Sequence, residues 1–321
     1  MSIYKNHYQN VELFERYENN PILIPSMWPY RVNSVFNAGA VIYNSKVLLL
    51  ARVEDMRGFS HFSKVTSEDG FTNWTIDPEP SMVPEIDAYP EEYYGIEDPR
   101  ITWLEEYKKY AVVYTSFSRS GPLVSLATTE DFSTFDRYGV IMPPEDKDAA
   151  LFPRRFNGRW VLLHRPTPSN HAMGAHIWIS FSPDLKHWGD SNILLPARKG
   201  SWWDANRIGM GPPPIETPEG WLILYHGVKV TAAGSIYRLG FALLDLERPW
   251  NVKKRCDEWA FGPKEIYERI GDVPDVTFPC GMIKKDDKLI MYYGAADTTI
   301  SVAVASISKI MECIHEAEEF S

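Results

Sequence analysis

Four short stretches, Ser67–Trp74 (SEDGFTNW), Thr129–Phe135 (TEDFSTF), Ser182–Trp188 (SPDLKHW) and Leu244–Trp250 (LDLERPW), share one form. A strand-like run ends, an aspartate follows, and an aromatic side chain closes the stretch. Asp69, Asp131, Asp184 and Asp245 stand 62, 53 and 61 residues apart, and a further step of that size reaches SISKI, around Ser308. Self-similarity at a near-constant period marks a repeat architecture, and strand-rich units of roughly 40–50 residues are typical of propeller blades. These units are somewhat longer, which leaves room for functional loops, and five of them fit the chain. The expectation is all-β: a five-bladed β-propeller, with residues 1–321 forming a single domain. A β-sandwich whose turns coincide by chance is the alternative.

The segments between these stretches support the strand reading. GAVIYNSKVLLLARV, YAVVYTSF, RWVLLHRP, HIWISFS, GWLILYHGV and KLIMYYGAA are rich in β-branched and aromatic residues and are bounded by Gly, Pro, Asn, Asp or Ser. Helical periodicity is confined to the ends, in SKIMECIHEAEEF and in YQNVELFERY, so short terminal helical segments are expected.

Composition narrows the function. The chain of 321 residues is 44% hydrophobic and 24% charged, as expected for a globular protein with a real core. Its net charge of −10 and the lack of any Lys/Arg-rich run argue against nucleic acid, so an anionic substrate would need a local basic pocket. Cys256, Cys280 and Cys313 are scattered and form no CxxC pair, which suits a reducing cytoplasm and no disulfide framework. No apolar run reaches membrane-spanning length, and the first 20 residues lack a signal-peptide core. A cytoplasmic protein with no nucleic-acid or membrane partner is expected, and a homo-oligomer is compatible with the sequence. The 11 Trp and 17 Tyr offer stacking surfaces for sugars, but such residues also fill β cores.

A propeller gathers its function at one mouth of the central channel, so functional groups should recur once or twice per blade. Asn37, Arg52, Asp98, Lys147, Arg165, His171, Arg207, His226, Tyr237 and Asp297 fit that distribution, many of them where an apolar strand stops. A basic residue such as Arg165, after the run WVLLH, is expensive to bury unless it is paired or binds an anion. Each has an ordinary structural alternative: Arg52 could pair with Glu54, Arg165 could cap a strand, and His226 could be a satisfied core histidine. GxSxG, P-loop, GxGxxG and HExxH patterns are absent. His164, His171 and His176 lack an accompanying carboxylate or thiolate set, so no metal is expected.

GIEDPR, KDAALFPRRFNGRW, HRP, WISFSPDLKHWG, ETPEGWLILYHGV, YRLGFALLDL and VTFPCG…YYGAADT, in this order over roughly residues 18–310, resemble the β-mannoside phosphorylases of glycoside hydrolase family 130. The resemblance implies a five-bladed propeller that cleaves a β-mannosidic bond with inorganic phosphate and inverts the anomeric centre, yielding α-mannose 1-phosphate. It requires no cofactor, since phosphate is a co-substrate. It places the proton donor on Asp98. It places phosphate binding on Lys147, Arg165, Arg207, His226 and Tyr237, and mannose contacts on Asn37, Arg52, His171, Phe278 and Asp297. Arg207 stands where several members have lysine, and Lys147 where some have arginine, so charge is kept. Glu97 stands where some β-1,4-acting members have tyrosine, a departure that leaves the linkage open.

The chemistry fits the residue count. An inverting hydrolase needs an acid and a base that activates water, whereas phosphate is already an anionic nucleophile and needs only the acid. One aspartate with a cationic set is the expected signature, with the Asp98 pKa raised by partial burial. The favoured substrates are β-1,2-mannobiose or short β-1,2-oligomannosides. The alternatives are β-1,4-mannosyl-N-acetylglucosamine or β-1,4-mannooligosaccharide phosphorolysis, an inverting β-mannoside hydrolase, and a non-catalytic sugar-binding propeller.

Overall fold

The computed structural model describes residues 12–167, 174–232 and 234–320. Five antiparallel sheets follow one another around a centre. Blade I comprises Ser34–Tyr43, Lys46–Glu54, Ser60–Ser67 and Thr75–Ile76, and blade II comprises Ile96–Leu104, Lys109–Ser118, Gly121–Thr129 and Asp136–Met142. Blade III comprises Asp146–Leu151, Trp160–Pro166, Ile177–Ser182 and Gly189–Leu195. Blade IV is built from Arg207–Met210, Gly220–Thr231, Gly234–Leu244 and Val252–Arg255, with Ile215–Thr217 as an added strand. Blade V uses Thr277–Lys285, Lys288–Ala295 and Thr299–Ser306, and its outer strand is Glu15–Arg16 from the other end of the chain.

That last pairing corrects the helix expected in YQNVELFERY. Its described part carries a strand, in which Glu15 pairs with Val304 and Arg16 with Ala303. An unpaired blade edge offers backbone donors and acceptors that a helix could not satisfy, and pairing it closes the ring. The C-terminal helix forms as expected, over Ile307–Glu316, with Ser306 capping it and Ile310, Met311 and Ile314 buried. No helix among the described residues is long and apolar enough to cross a membrane.

Apolar side chains of facing sheets fill the gap between each pair of neighbouring blades. Leu48, Leu50 and Phe62 meet Ile96, Val112 and Tyr114 between blades I and II. Trp160 and Leu162 meet Val113 and Leu126 between II and III, and Trp221 and Ile223 meet Val161 and Ile179 between III and IV. The first strands of neighbouring blades approach one another around the centre.

The four repeated aspartates form the turns between the third and fourth strands of blades I to IV. Each accepts two backbone N–H groups, from Phe71 and Thr72, Ser133 and Thr134, Lys186 and His187, and Glu247 and Arg248 respectively. For Asp69 the Thr72 hydroxyl, and for Asp131 and Asp184 these backbone N–H groups, lead the bonds to the ionised form that hold the three carboxyls below the usual carboxylate range. The period that reveals the fold is therefore an outer-rim turn device.

Candidate active site

At the inner end of blades I, II and III, a second repeat appears. The first strand of each carries a β-bulge, between Phe36 and Gly39, Glu97 and Arg100, and Lys147 and Ala150. Inside each bulge one residue takes a left-handed backbone: Asn37 at φ 45°, Asp98 at φ 54° and Asp148 at φ 54°. Asn and Asp tolerate this conformation better than other residues with a Cβ, and a bulge re-aims the side chain it contains. Three polar groups are thereby placed in the protein interior, at 3%, 2% and 0% exposure.

Around Asp98 the contacts are specific. Asn37 Nδ2 donates to Asp98 Oδ1 at 2.9 Å, and an Arg52 terminal nitrogen donates to the same oxygen at 3.0 Å. The other Arg52 terminal nitrogen donates to Glu97 at 3.0 Å, and Arg52 Nε donates to Ser60 Oγ at 2.9 Å. Arg100 bonds backbone oxygens rather than the Asp98 carboxyl: its Nε and terminal nitrogens donate to the carbonyls of Gly211, Met210 and Asp98 at 2.7, 2.9 and 3.1 Å. Burial alone would raise the Asp98 pKa, but Arg52, Lys147 and Arg100 outweigh it and hold the carboxyl below its usual value. This corrects the expectation of a raised pKa. The raised carboxyl is Asp297, pushed up to about 7 by burial against the opposing charges of Arg52 and Lys147.

Asp148 organises the opposite side. Its Oδ2 accepts from Arg165 Nε at 2.7 Å and lies 3.4 Å from His226 Nε2, while Arg100 approaches Oδ1 at 3.7 Å. Burial opposes its ionisation, but Arg165 and the neighbouring cations depress its pKa strongly. Gly209 makes this approach feasible, because a Cβ there would meet Asp148 Oδ2 at 2.4 Å and His226 Cε1 at 2.6 Å. Burial, with Arg165, Arg100 and Arg207 nearby, pulls the His226 pKa down to about 3, so at neutral pH the imidazole is a dipole rather than the cation its place in a basic set suggested. Arg207 donates to the Tyr237 hydroxyl at 3.0 Å, and Phe278 lies against His226, with ring centroids 4.8 Å apart. Three of the buried atoms without a hydrogen-bond partner among the described residues, Asn37 Oδ1, Asp148 Oδ1 and His226 Nδ1, belong to this site.

Asn37, Arg52, Asp98, Lys147, Arg165, Arg207, His226, Tyr237, Phe278 and Asp297 thus converge from all five blades, whereas His171 lies outside the described residues. His164 has an internal role, bonded to Asp146 at 2.6 Å and Ser180 at 2.8 Å in the blade interior. His176 accepts the Ala197 backbone N–H at 2.9 Å. No group of three or more His, Cys, Asp or Glu among the described residues is arranged to hold a metal ion. Sequence reasoning missed Asp148, the buried partner of Arg165 and His226. A signal for it existed: Asn37, Asp98 and Asp148 are 61 and 50 residues apart, close to the blade period.

A family model described as β-1,4-mannooligosaccharide phosphorylase matches residues 5–316. The chain belongs to glycoside hydrolase family 130. It is 36% identical over 309 residues to a β-1,4-mannooligosaccharide phosphorylase of Ruminococcus albus, covering 93% of this chain and 90% of that one. It is 35% identical to a β-1,2-mannobiose phosphorylase of Listeria innocua, covering 94% and 98%. The structure of a β-1,2-mannobiose phosphorylase from Listeria innocua in complex with β-1,2-mannobiose matches it with a TM-score of 0.84 at 33% identity, over 94% of this chain and 99% of that one. These relatives therefore span both linkages.

Proposed function

We propose that this protein cleaves the terminal β-mannosidic bond of β-1,2-mannobiose or short β-1,2-oligomannosides with inorganic phosphate, releasing α-mannose 1-phosphate. The observation that carries the reading is the division of the site into two halves. On one side Asp98 is oriented by Asn37 and Arg52, and opposite it Lys147, Arg165 and Arg207 gather around Asp148 and His226. In this reading a phosphate oxygen forms the new bond to the anomeric carbon as the glycosidic bond breaks. The bond's electron pair goes to the leaving oxygen, which takes the Asp98 proton. The phosphate's remaining proton then restores Asp98 through solvent or a sugar hydroxyl.

Protonation and phosphate binding are coupled here. In the free site Lys147 contributes to the field that keeps Asp98 ionised. An arriving phosphate dianion offsets that field and raises the proton affinity of Asp98, so the acid is loaded once the nucleophile is present. Glu97, held by Arg52 at 3.0 Å beside Asp98, stands where some β-1,4-acting members have tyrosine and leaves the linkage open. The β-1,2 preference rests on GIEDPR and KDAALFPRRFNGRW, whose forms look most like β-1,2-acting members.

Incubation with α-mannose 1-phosphate and a panel of acceptors, followed by linkage analysis of the products, tests the linkage. Omission of phosphate tests the reaction. Mannose release without phosphate at a comparable rate would make the protein a hydrolase.

A further inference from the structure

We propose that a half-exposed aromatic shelf beside Asp98, formed by Phe59, Tyr93, Tyr94 and Phe117, binds the second and third sugar rings on the leaving-group side of a β-mannooligosaccharide. The inference rests on the mannoside reading above and extends it to chain length.

The shelf is tied to the catalytic groups through the backbone. Ser60, whose hydroxyl accepts from Arg52, forms a parallel bridge with Gly95. Gly95 has φ 119°, and a Cβ there would come within 2.6 Å of the Ser60 nitrogen, so only glycine lets these two segments meet. Tyr94 N–H donates to the Phe117 carbonyl at 2.8 Å, and Phe117 N–H donates to Gly95 at 3.1 Å. Phe59 and Tyr94, one residue before each bridge partner, are therefore fixed side by side, with ring centroids 6.0 Å apart at 77°. Tyr93 and Phe117 flank Tyr94 at 4.7 and 6.2 Å. Tyr94 precedes Asp98 by four residues, a reach of at most about 13 Å in extended chain. Two or three pyranose rings span such a distance.

The chemistry suits a sugar chain. A mannose ring presents C–H groups on its faces and hydroxyls at its edge. Aromatic rings take the first, and planar charged groups take the second. Arg119 lies over Tyr93 with its guanidinium carbon 4.2 Å from the ring centroid, and Arg57, whose fork is held by Asp55, lies over Phe59 at 5.2 Å, so one face of each of these two rings is covered and a sugar would meet the other. Glu97 supplies an acceptor where the shelf meets Asp98. These rings are not core: none of the four belongs to an apolar cluster between the blades among the described residues, and Tyr94 is 39% exposed.

Tyr94→Ala and Phe59→Ala, assayed on β-mannobiose, -triose and -tetraose of both linkage series, test the shelf. The ratio of kcat/KM for triose over biose should fall about five- to tenfold in each variant, the loss of one aromatic contact. An unchanged ratio overturns the proposal. So does a proportional loss on every substrate with a lower Tm, which is what a packing role would give. Direct titration of an Asp98→Asn background with triose and biose separates this from the parent reading, since binding needs no turnover. Tighter triose binding that Tyr94→Ala abolishes supports the shelf even if the wild type releases no mannose 1-phosphate. Equal affinity for triose and biose, or no mannoside binding at all, overturns it.

Discussion

Two sets of acidic or amide residues repeat at the same blade period, and they behave oppositely. Asp69, Asp131, Asp184 and Asp245 lie on the outer rim, where each carboxylate accepts backbone N–H groups of its own turn. Asn37, Asp98 and Asp148 lie in bulges of the inner strands, where their partners are side chains from other segments, such as Arg52 and Arg165. The outer set is satisfied locally, so any one member can be lost with a local effect. The inner set is buried, and its charges are balanced only by groups that the whole ring brings together. Recurrence alone marks a structural position, and the partners decide whether it carries chemistry.

The sharpest way to break the comparison is at Asp98. Asp98→Asn keeps the shape and removes the transferable proton, so turnover of an unactivated mannobiose should fall about 10²–10⁴-fold. Affinity for the disaccharide, read by titration, should stay within about tenfold. Wild-type turnover in this variant would sink the assignment of the acid.

Next in size is the ion pair between Arg165 and Asp148. Arg165→Ala should lower kcat/KM for phosphate by about 10²-fold, equivalent to a few kcal/mol of transition-state stabilisation, with less effect on disaccharide binding. Asp148→Asn leaves Arg165 without its buried partner, and the phosphate KM should rise about tenfold. If Asp148 acted only by repelling the anion, the same variant would bind phosphate more tightly, and a lowered KM would show it.

A smaller effect separates the two sets by pH. The folded-state pKa of Asp297 is raised to about 7, so the folded protein binds more protons than the unfolded chain between about pH 4 and 7. Stability from this group therefore falls as pH rises through that window. Asp297→Asn should flatten the slope, as measured by denaturant midpoints of the ligand-free protein. The rim aspartate Asp131 has the opposite sign. Its pKa is depressed, so its contribution is present above about pH 4 and lost as pH falls through its folded value.

The smallest effect should come from the rim itself. Asp131→Ala removes a carboxylate that accepts from Ser133 and Thr134 at 2.8 Å each, and should cost about 1 kcal/mol of stability, by analogy with a lost helix cap. Its kinetic constants should match the wild type, and a change in phosphate KM would mean that rim and centre are coupled.

The blades, their number and the strand-end positions of most candidate site residues were legible in the sequence because each depends on local information. Turn aspartates, alternating apolar strands and polar strand ends recur in one dimension. The N-terminal segment YQNVELFERY was misread because its helical period is local, while the free edge of Thr299–Ser306 that recruits Glu15–Arg16 lies almost the full length of the chain away. Asp148 was missed for a related reason. In the row KDAALFPRR it is one more charge beside a lysine, and only the bulge that turns it inward, with Gly209 leaving it space, makes it a partner of Arg165 and His226.

Ionisation states belonged to the tertiary structure alone. The sequence determined which titratable groups stand near each blade's inner end, and it identified Asp98 as the candidate acid. It did not determine that Arg52 and Lys147 would hold Asp98 below its usual pKa while Asp297 rises, nor that His226 would be neutral. Composition and spacing are properties of the chain, but a pKa depends on burial and on distances between charges. Those distances exist only once five separate segments have closed into a ring.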